Sequence, residues 1–240
     1  MIKIENVSKV FRIPSEKRQS LKTRIINIFN RNTYTKFTAL DNINLEIKKG
    51  EFVGVIGKNG SGKSTLLKLI TGIFPPTTGR IRIAGEISAF LELGVGFNEE
   101  LSAKDNIYLY GAILGLTRKH VNKRFDEIIR FAGLEKFVNT KLKSFSSGMQ
   151  VRLAFSTAIQ ANADIYLVDE VLAVGDADFQ KKCYSVFERF KLEGKTILFV
   201  SHDLEAIKKF CDRVILIDNG KMTEDGNAAK VIDRYLELIK

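Results

Sequence analysis

The sequence is poor in several residue types, and each scarcity excludes a class of protein. It contains no tryptophan, three prolines and two cysteines in 240 residues. Cys183 and Cys211 have no paired spacing and no histidine cluster beside them, which argues against a structural zinc site and a disulfide scaffold. Apolar runs such as 197–200 and 214–217 are far shorter than the roughly 20 residues of a membrane-spanning helix. The composition therefore predicts a globular protein from a reducing compartment, which would need another chain to cross a membrane.

Positive charge is in excess and is concentrated at one end. Lys and Arg number 38 and Asp and Glu number 28, which leaves a net charge of +10. Residues 1–40 hold nine basic and two acidic side chains, so this segment alone carries +7. A basic protein has nucleic acid, an anionic membrane surface or an anionic small molecule as candidate partners. Because the rest of the chain is close to neutral, an interaction with nucleic acid spread over the whole surface is less well supported.

Short apolar runs alternate with helical patterns along most of the chain. The runs at 52–56, 165–168, 196–200 and 214–218 are typical of buried strands in a mostly parallel sheet. Residues 98–160 offer helical patterns instead, at 103–114, 121–132 and 148–161, and a terminal amphipathic helix is expected at 228–240. We expect a single α/β domain with a core at 1–97 and 161–240 and a helical subdomain at 98–160, with no further C-terminal domain.

Residues 57–65, here called the phosphate-binding loop, match the pattern G-x-x-x-x-G-K-[ST]. Their sequence is Gly57-Lys58-Asn59-Gly60-Ser61-Gly62-Lys63-Ser64-Thr65. An apolar strand precedes the loop and an apolar helix follows it, as a nucleotide-binding loop requires. The glycines let backbone N–H groups point at phosphate oxygens, and the helix adds its N-terminal dipole. Lys63 is expected to neutralise the β- and γ-phosphates of ATP, and the Ser64 hydroxyl to ligate Mg²⁺.

Two more strand ends carry polar residues suited to the same chemistry. Asp169 and Glu170 follow the apolar run 165–168, at the sheet edge where ligands bind. Asp169 would hold Mg²⁺ through water and Glu170 would polarise the attacking water. His202 follows the run 196–200 and is a candidate to face the γ-phosphate, whereas His120 is expected at the surface.

A further motif at 145–154 links these features to a known family. It reads Phe-Ser-Ser-Gly-Met-Gln-Val-Arg-Leu-Ala and resembles the L-S-G-G-Q signature of the ATP-binding-cassette (ABC) ATPases. The resemblance implies the P-loop (RecA-like) fold of that family, with an inserted helical subdomain and a small N-terminal antiparallel β part. It also implies that Ser146 and Gly148 bind the γ-phosphate held by a partner subunit, so that two copies of the chain share two sites.

The resemblance assigns further residues. Asp176 matches the aspartate of the family's D-loop near the dimer seam, and His202 matches its switch histidine. Phe11, in the segment 7–11, matches the aromatic residue that stacks on adenine, with Tyr34 and Phe37 as competitors. No glutamine occurs between positions 19 and 150, so the family's Q-loop glutamine is missing. Glu92 is the nearest polar residue that could replace this glutamine, and it would then serve as a metal ligand. Leu93 fits the spacing of the Q-loop position about equally well.

Three segments depart from the family consensus: Leu-Glu-Leu-Gly-Val-Gly-Phe at 91–97, Phe-Ser-Ser-Gly-Met at 145–149 and Val-Gly-Asp-Ala-Asp-Phe at 174–179. Together they resemble one branch, the ATPases of polysaccharide exporters for O-antigen, capsule and teichoic acid. The branch implies an ATPase at the cytoplasmic face of the inner membrane, a homodimer bound to two separate transmembrane permease subunits that carry a lipid-linked glycan. No nucleic-acid partner is expected. The alternatives are a soluble ABC-type ATPase acting on nucleic acid or ribosomes, and a non-hydrolysing regulatory cassette.

An inserted segment at 15–32 is expected to form a basic amphipathic helix. Apolar residues at 21, 25, 28 and 29 fall on one helical face, and basic residues line the remainder. Such a helix either packs on its own domain or lies at an anionic membrane surface.

Overall fold

The computed structural model describes residues 1–14, 34–90, 93–169 and 176–239. The expected basic helix at 15–32, Glu92 and Glu170 lie outside the described residues, and their assignments stay predictions.

A six-stranded sheet forms the centre of the molecule, in the order β5-β6-β7-β3-β8-β9. Its strands are β3 (Phe52–Ile56), β5 (Ile87–Phe90), β6 (Ile165–Asp169), β7 (Thr196–Val200), β8 (Arg213–Asp218) and β9 (Lys221–Asn227). Neighbouring strands are parallel except β8 and β9, which form an antiparallel hairpin. All side chains of β3 and β7 are buried, because both faces of these inner strands are covered. The four strands expected from apolar runs are confirmed.

A second, antiparallel sheet of three strands lies beside the first. Its order is β2-β1-β4, with β1 at Ile2–Pro14, β2 at Tyr34–Ile47 and β4 at Thr78–Ile83. Alternate residues of β1 and β2, such as Ile2, Ile4 and Leu45, are buried, so one face packs on the core. This sheet confirms the expected N-terminal antiparallel part.

The helices cover the central sheet and form the inserted helical part. They are α1 (Lys63–Ile70), α2 (Ala103–Ile113), α3 (Arg118–Ala132), α4 (Ser147–Ala158), α5 (Ala177–Leu192), α6 (Leu204–Phe210) and α7 (Ala228–Leu238). Helices α2, α3 and α4 pack together around a small apolar cluster that includes Ile107, Ile128 and Leu153. No helix in the described part of the chain combines the length and the apolar character that a bilayer-spanning helix requires.

The parallel strands bring the functional segments to one edge of the sheet. Val55 of β3 is level with Val200 of β7, and Val200 is level with Asp169 of β6. The residues that follow β3 and β7, and the last residue of β6, therefore lie side by side at the carboxyl edge. This edge is where open α/β sheets bind their ligands.

Candidate functional site: a nucleotide cavity at the sheet edge

The phosphate-binding loop connects β3 to α1 in a conformation that depends on glycine. Gly57 has φ 148°, and a Cβ atom at this position would lie 2.1 Å from the carbonyl oxygen of Ile217. Gly62 has φ 113°, and a Cβ atom there would lie 2.7 Å from the carbonyl oxygen of Ala39. Left-handed backbone and close approach of another chain segment both exclude larger residues. The glycines predicted from the motif are therefore required by the fold of the loop.

Lys63 lies at the centre of the loop. Its side chain is buried, and Nζ donates hydrogen bonds to the carbonyl oxygens of Gly57 at 2.7 Å and Lys58 at 3.0 Å. The loop thus wraps around a fixed positive charge at the start of α1. Ser61 Oγ is buried and has no hydrogen-bond partner among the described residues. A buried hydroxyl without a partner indicates that a ligand completes the site.

A cavity of about 260 Å³ opens above the loop. It is lined by Phe37, Ala39, Asn59, Gly60, Gly62, Lys63, Ser64, Thr65 and His202. A buried ammonium group, an orphaned hydroxyl and the N-terminus of α1 suit a polyphosphate. Ser64 and nearby Asp169 supply oxygen ligands of the kind that Mg²⁺ prefers. No group of three or more His, Cys, Asp or Glu side chains that could hold a metal occurs among the described residues.

His202 lines the cavity, and Asp169 ends the neighbouring strand at the same sheet edge. His202 lies two residues beyond the end of β7 and lines the cavity. The next residue, Asp203, caps α6 by accepting hydrogen bonds from the N–H groups of Glu205 and Ala206, both at 3.0 Å. This cap fixes the turn that presents the imidazole. Asp169 ends β6 and is half-buried.

The aromatic candidates for adenine stacking occupy different places. Phe37 is half-exposed and lines the cavity. Phe11 is the cross-strand neighbour of Phe37, but the Phe11 ring packs edge-to-face with Phe74, with 5.4 Å between the ring centroids. Lys9 Nζ lies over the Phe11 ring, 5.1 Å from its centroid. Tyr34 is exposed and pairs with Pro14 at the far end of the ladder. The cavity therefore favours Phe37 over Phe11 as the stacking residue.

The signature-like segment forms the N-terminus of α4. Ser146 is the N-cap residue, and its hydroxyl accepts a hydrogen bond from the N–H of Met149 at 3.2 Å. Ser146 and Ser147 are exposed, and Gly148 is half-buried. Among the described residues that line the nucleotide cavity, none belongs to α4. The helix N-terminus is thus open to a ligand that its own cavity does not supply.

Asp176 connects the start of α5 to the signature helix. It caps α5 by accepting a hydrogen bond from the N–H of Phe179 at 2.9 Å, and it forms an ion pair with Arg152 of α4. These contacts lower the pKa of Asp176, mainly through the Phe179 N–H and also through Arg152. The Arg152 guanidinium also lies over the Phe179 ring, 5.5 Å from its centroid. The start of α5 is therefore tied to the signature helix.

Comparison with known families agrees with this geometry. The family described as "ABC transporter" matches residues 40–173, which is more than half of the chain. The chain belongs to the ABC transporter family. The fold and the family expected from the sequence are confirmed.

ABC proteins of surface-polysaccharide systems are among the curated relatives. The O-antigen export system ATP-binding protein RfbB of Klebsiella pneumoniae is 44% identical over 204 residues, which is 85% of this chain and 83% of the relative. RfbB of Myxococcus xanthus is 49% identical over 202 residues, or 84% of this chain and 46% of the relative. The teichoic acids export ATP-binding protein TagH of Levilactobacillus brevis is 41% identical over 239 residues, or 100% of this chain and 65% of the relative. The chain thus spans about half the length of one of these relatives and most of another.

A solved ABC structure shares the architecture. The dimeric ATP-binding cassette MJ0796, in a post-hydrolysis state bound to ADP and Pi, aligns with a TM-score of 0.75 at 26% identity. The alignment covers 95% of this chain and 99% of that one. A second dimeric structure of MJ0796, a bacterial ABC transporter cassette, aligns with a TM-score of 0.72.

One contact of this ABC domain is not predicted by the sequence. Arg152, in the middle of α4, forms an ion pair with Asp176, 24 positions along the chain, and no local pattern indicates this pair. Phe37, one of the three aromatic candidates for adenine stacking, is the one that lines the cavity. Of the two Q-loop candidates, Leu93 packs against the main core cluster, and Glu92 stays a prediction outside the described residues.

Proposed function

We propose that this chain is the ATP-hydrolysing subunit of an ABC exporter that moves a lipid-linked polysaccharide across the cytoplasmic membrane. The similarity to RfbB and TagH over 84–100% of the chain carries the proposal. The formed nucleotide cavity, with buried Lys63 at its base, supports ATP as the substrate. The soluble ATPase alternative is not favoured, because these relatives are subunits of export systems. The chain would act as a peripheral subunit at the cytoplasmic face.

The residues divide the chemistry among them. The phosphate-binding loop would hold the phosphates through its N–H groups, and Lys63 would neutralise charge on the β- and γ-phosphates as it develops. Ser64 and Asp169 would hold Mg²⁺, which would neutralise negative charge on the phosphates. Glu170 would accept a proton from the attacking water, and His202 would face the γ-phosphate and hold it in position.

We assign adenine stacking to Phe37 and expect Phe37→Ala to raise the KM for ATP. Stacking of a base on an aromatic ring contributes about 1–3 kcal/mol, so KM should rise roughly tenfold. The kcat should change little, because the adenine contact is the same before and during phosphoryl transfer. Steady-state ATPase kinetics measure both values. Phe11→Ala is the matched control, and a larger KM effect from Phe11→Ala would reverse the assignment.

We further propose that two copies of the chain close around two ATP molecules. Each copy would contribute its phosphate-binding loop to one site and its signature helix α4, through Ser146 and Gly148, to the other. The exposed N-terminus of α4 supports this arrangement, as does the dimeric form of the related cassette. Asp176 would couple the seam to α4 through Arg152.

Gly148→Ala tests this shared site without disturbing the single chain. A Cβ atom at Gly148 would lie 3.9 Å from its nearest neighbour, Ser146 Oγ, which is an ordinary contact. Alanine also favours a helix over glycine by about 1 kcal/mol, so the Tm should stay equal or rise. The added methyl would stand where the partner's γ-phosphate binds, and we expect the ATPase rate to fall at least about tenfold. A stable variant with the parental rate and unchanged ATP-dependent dimerisation would contradict the shared site.

The permease would dock on an apolar groove between the core and the helical part. The groove has a volume of about 500 Å³ and is lined in part by Ile73, Val95 and Ile113, each more than half exposed. Exposed apolar side chains that line one concavity are typical of protein interaction sites. Leu93 lies two residues before Val95 of this groove, and this proximity would link nucleotide state to the membrane subunits.

Copurification from membranes tests the exporter proposal together with its docking site. We expect the tagged chain to bring down a membrane protein with several spans, and Ile113→Asp to abolish that association by placing a charge in the groove. Leu192→Asp is the control, because Leu192 is 90% exposed and lies on α5 away from the groove. Equal recovery with Ile113→Asp would exclude this docking site. Absence of any membrane protein with the parental chain would contradict the exporter proposal.

A further inference from the structure

A second polar cavity lies at the opposite edge of the central sheet. It has a volume of about 380 Å³. Helix α3 forms one wall, and the ends of α4 and α5 with the starts of β6 and β7 form the other. Tyr166 near the start of β6 lines it, three residues or roughly 10 Å along the strand from Asp169. The two cavities share no lining residue in the described part of the chain.

A nearly buried amide and a buried ring nitrogen lie in this wall. Gln160 is 9% exposed and lines the cavity. His120 Nε2 is buried and lacks a hydrogen-bond partner within the described ranges. Nearly all buried polar groups in folded proteins are hydrogen-bonded, and each exception requires an explanation. A ligand in the cavity would offer a hydrogen-bond partner to the Gln160 amide, which lines it.

The charges around the cavity favour an anion. Arg124, Arg189 and Lys195 line it, against two carboxylates, Glu127 and Glu193. With histidine neutral, these five side chains leave one net positive charge.

The three basic groups are not equally engaged. Arg124 forms an ion pair with Glu127, with 2.6 Å between Nη1 and Oε2. Lys195 Nζ is fixed by hydrogen bonds to Asn162 Oδ1 at 3.1 Å and to the carbonyl oxygen of Ala163 at 2.8 Å. Arg189 Nε lies 3.7 Å from the nearest oxygen of Glu193, which is longer than a hydrogen bond. The Arg189 guanidinium therefore keeps N–H donors available for an oxyanion. The planar fork of a guanidinium matches the geometry of a carboxylate or phosphate group.

We propose that this cavity binds a small oxyanionic molecule, with Arg189 and Lys195 as its charge partners and Gln160 as a hydrogen-bonding partner. The volume falls within the range of about 300–1,000 Å³ that is usual for small-molecule sites. Phosphate and carboxylate groups share the required chemistry. The occupant would contact both α3 of the helical part and the C-terminal end of α5 in the core. The proposal does not depend on which substrate the transporter moves.

Isothermal titration calorimetry tests the site directly. The full chain is first saturated with ADP in metal-free buffer, because pyrophosphate and citrate chelate Mg²⁺. With the phosphate-binding loop occupied, it is then titrated with pyrophosphate or with citrate. We expect at least one probe to bind with a Kd below about 1 mM. Arg189→Gln should weaken that binding at least about tenfold, since a charge-assisted hydrogen bond is lost. Tighter binding of pyrophosphate would identify a phosphorylated ligand, and tighter binding of citrate a carboxylate.

Two matched variants locate the binding. Lys181→Gln removes a cation from the same helix α5 at a position that is largely exposed and outside the cavity, and it should leave the Kd unchanged. Gln160→Leu keeps the side-chain size and removes the amide, so it should also weaken binding. Arg189 is half-exposed, so its substitution should leave the chain folded. Absence of binding by either probe, or an unchanged Kd in folded Arg189→Gln, would overturn the proposal.

Discussion

Lys63→Ala is expected to lower the rate of ATP hydrolysis by roughly 10²–10³-fold, because removal of a fixed donor from a transition-state site has effects of this size. The Lys63 ammonium is already held by the carbonyl oxygens of Gly57 and Lys58, so little reorganisation precedes its contact with the phosphates. A stopped or coupled assay of phosphate release at saturating ATP measures the loss. Lys63 itself lines the open cavity, so water can enter the space that its side chain leaves and bond the two carbonyl oxygens, and the chain should remain folded.

The control for this variant is Lys49→Ala. Lys49 is exposed in the turn that precedes β3, so its loss removes a positive charge without touching the nucleotide cavity. We expect the rate of Lys49→Ala to match that of the parental chain. If Lys63→Ala hydrolyses ATP within threefold of the parental rate, Lys63 does not stabilise the transferred phosphoryl group.

Glu170→Gln is expected to stop turnover while ATP binding persists. Loss of a general base lowers kcat by roughly 10²–10⁴-fold, and the amide keeps the shape of the carboxylate. Because ATP would bind and not be hydrolysed, the chain should accumulate as an ATP-bound dimer. Size-exclusion chromatography with ATP and Mg²⁺ measures the dimer, and a phosphate-release assay measures the rate.

Glu188→Gln provides the matched control for the glutamate. Glu188 is exposed on α5 and pairs with Lys209 at 2.9 Å, a surface contact that contributes little to stability. This variant should hydrolyse ATP at the parental rate and show no trapped dimer. A parental rate in Glu170→Gln would remove Glu170 from the role of base.

The central strands could be predicted because burial on both faces produces continuous apolar runs. Residues 52–56 and 196–200 became β3 and β7 with the expected bounds. Strand β9, with the sequence Lys-Met-Thr-Glu-Asp-Gly-Asn, has no such pattern, and its pairing with β8 holds it in place. The available signal was the pair Asn219-Gly220, since φ is positive at both positions and this dipeptide favours a two-residue hairpin turn.

The site could be predicted where its functional residues are neighbours in the sequence. The phosphate-binding loop lies within nine residues, so its motif specified Lys63 and the glycines together. The choice between Phe11 and Phe37 depends on which ring meets the cavity and which meets Phe74, and that follows from long-range packing. The polar cavity beside Gln160 collects residues from α3, β6 and α5 and from the loops that precede β6 and β7, so no local pattern could have indicated it.

Polysaccharide export in living cells tests the central claim most directly, namely that ATP hydrolysis by this chain powers transport. Cells that lack their own copy of the gene would receive the parental chain, Glu170→Gln or Glu188→Gln, and surface polysaccharide would be quantified. We predict that the parental chain and Glu188→Gln restore surface polysaccharide, and that Glu170→Gln leaves the lipid-linked material inside the cell. Export at the parental level with Glu170→Gln, or in cells without any copy, would contradict the account.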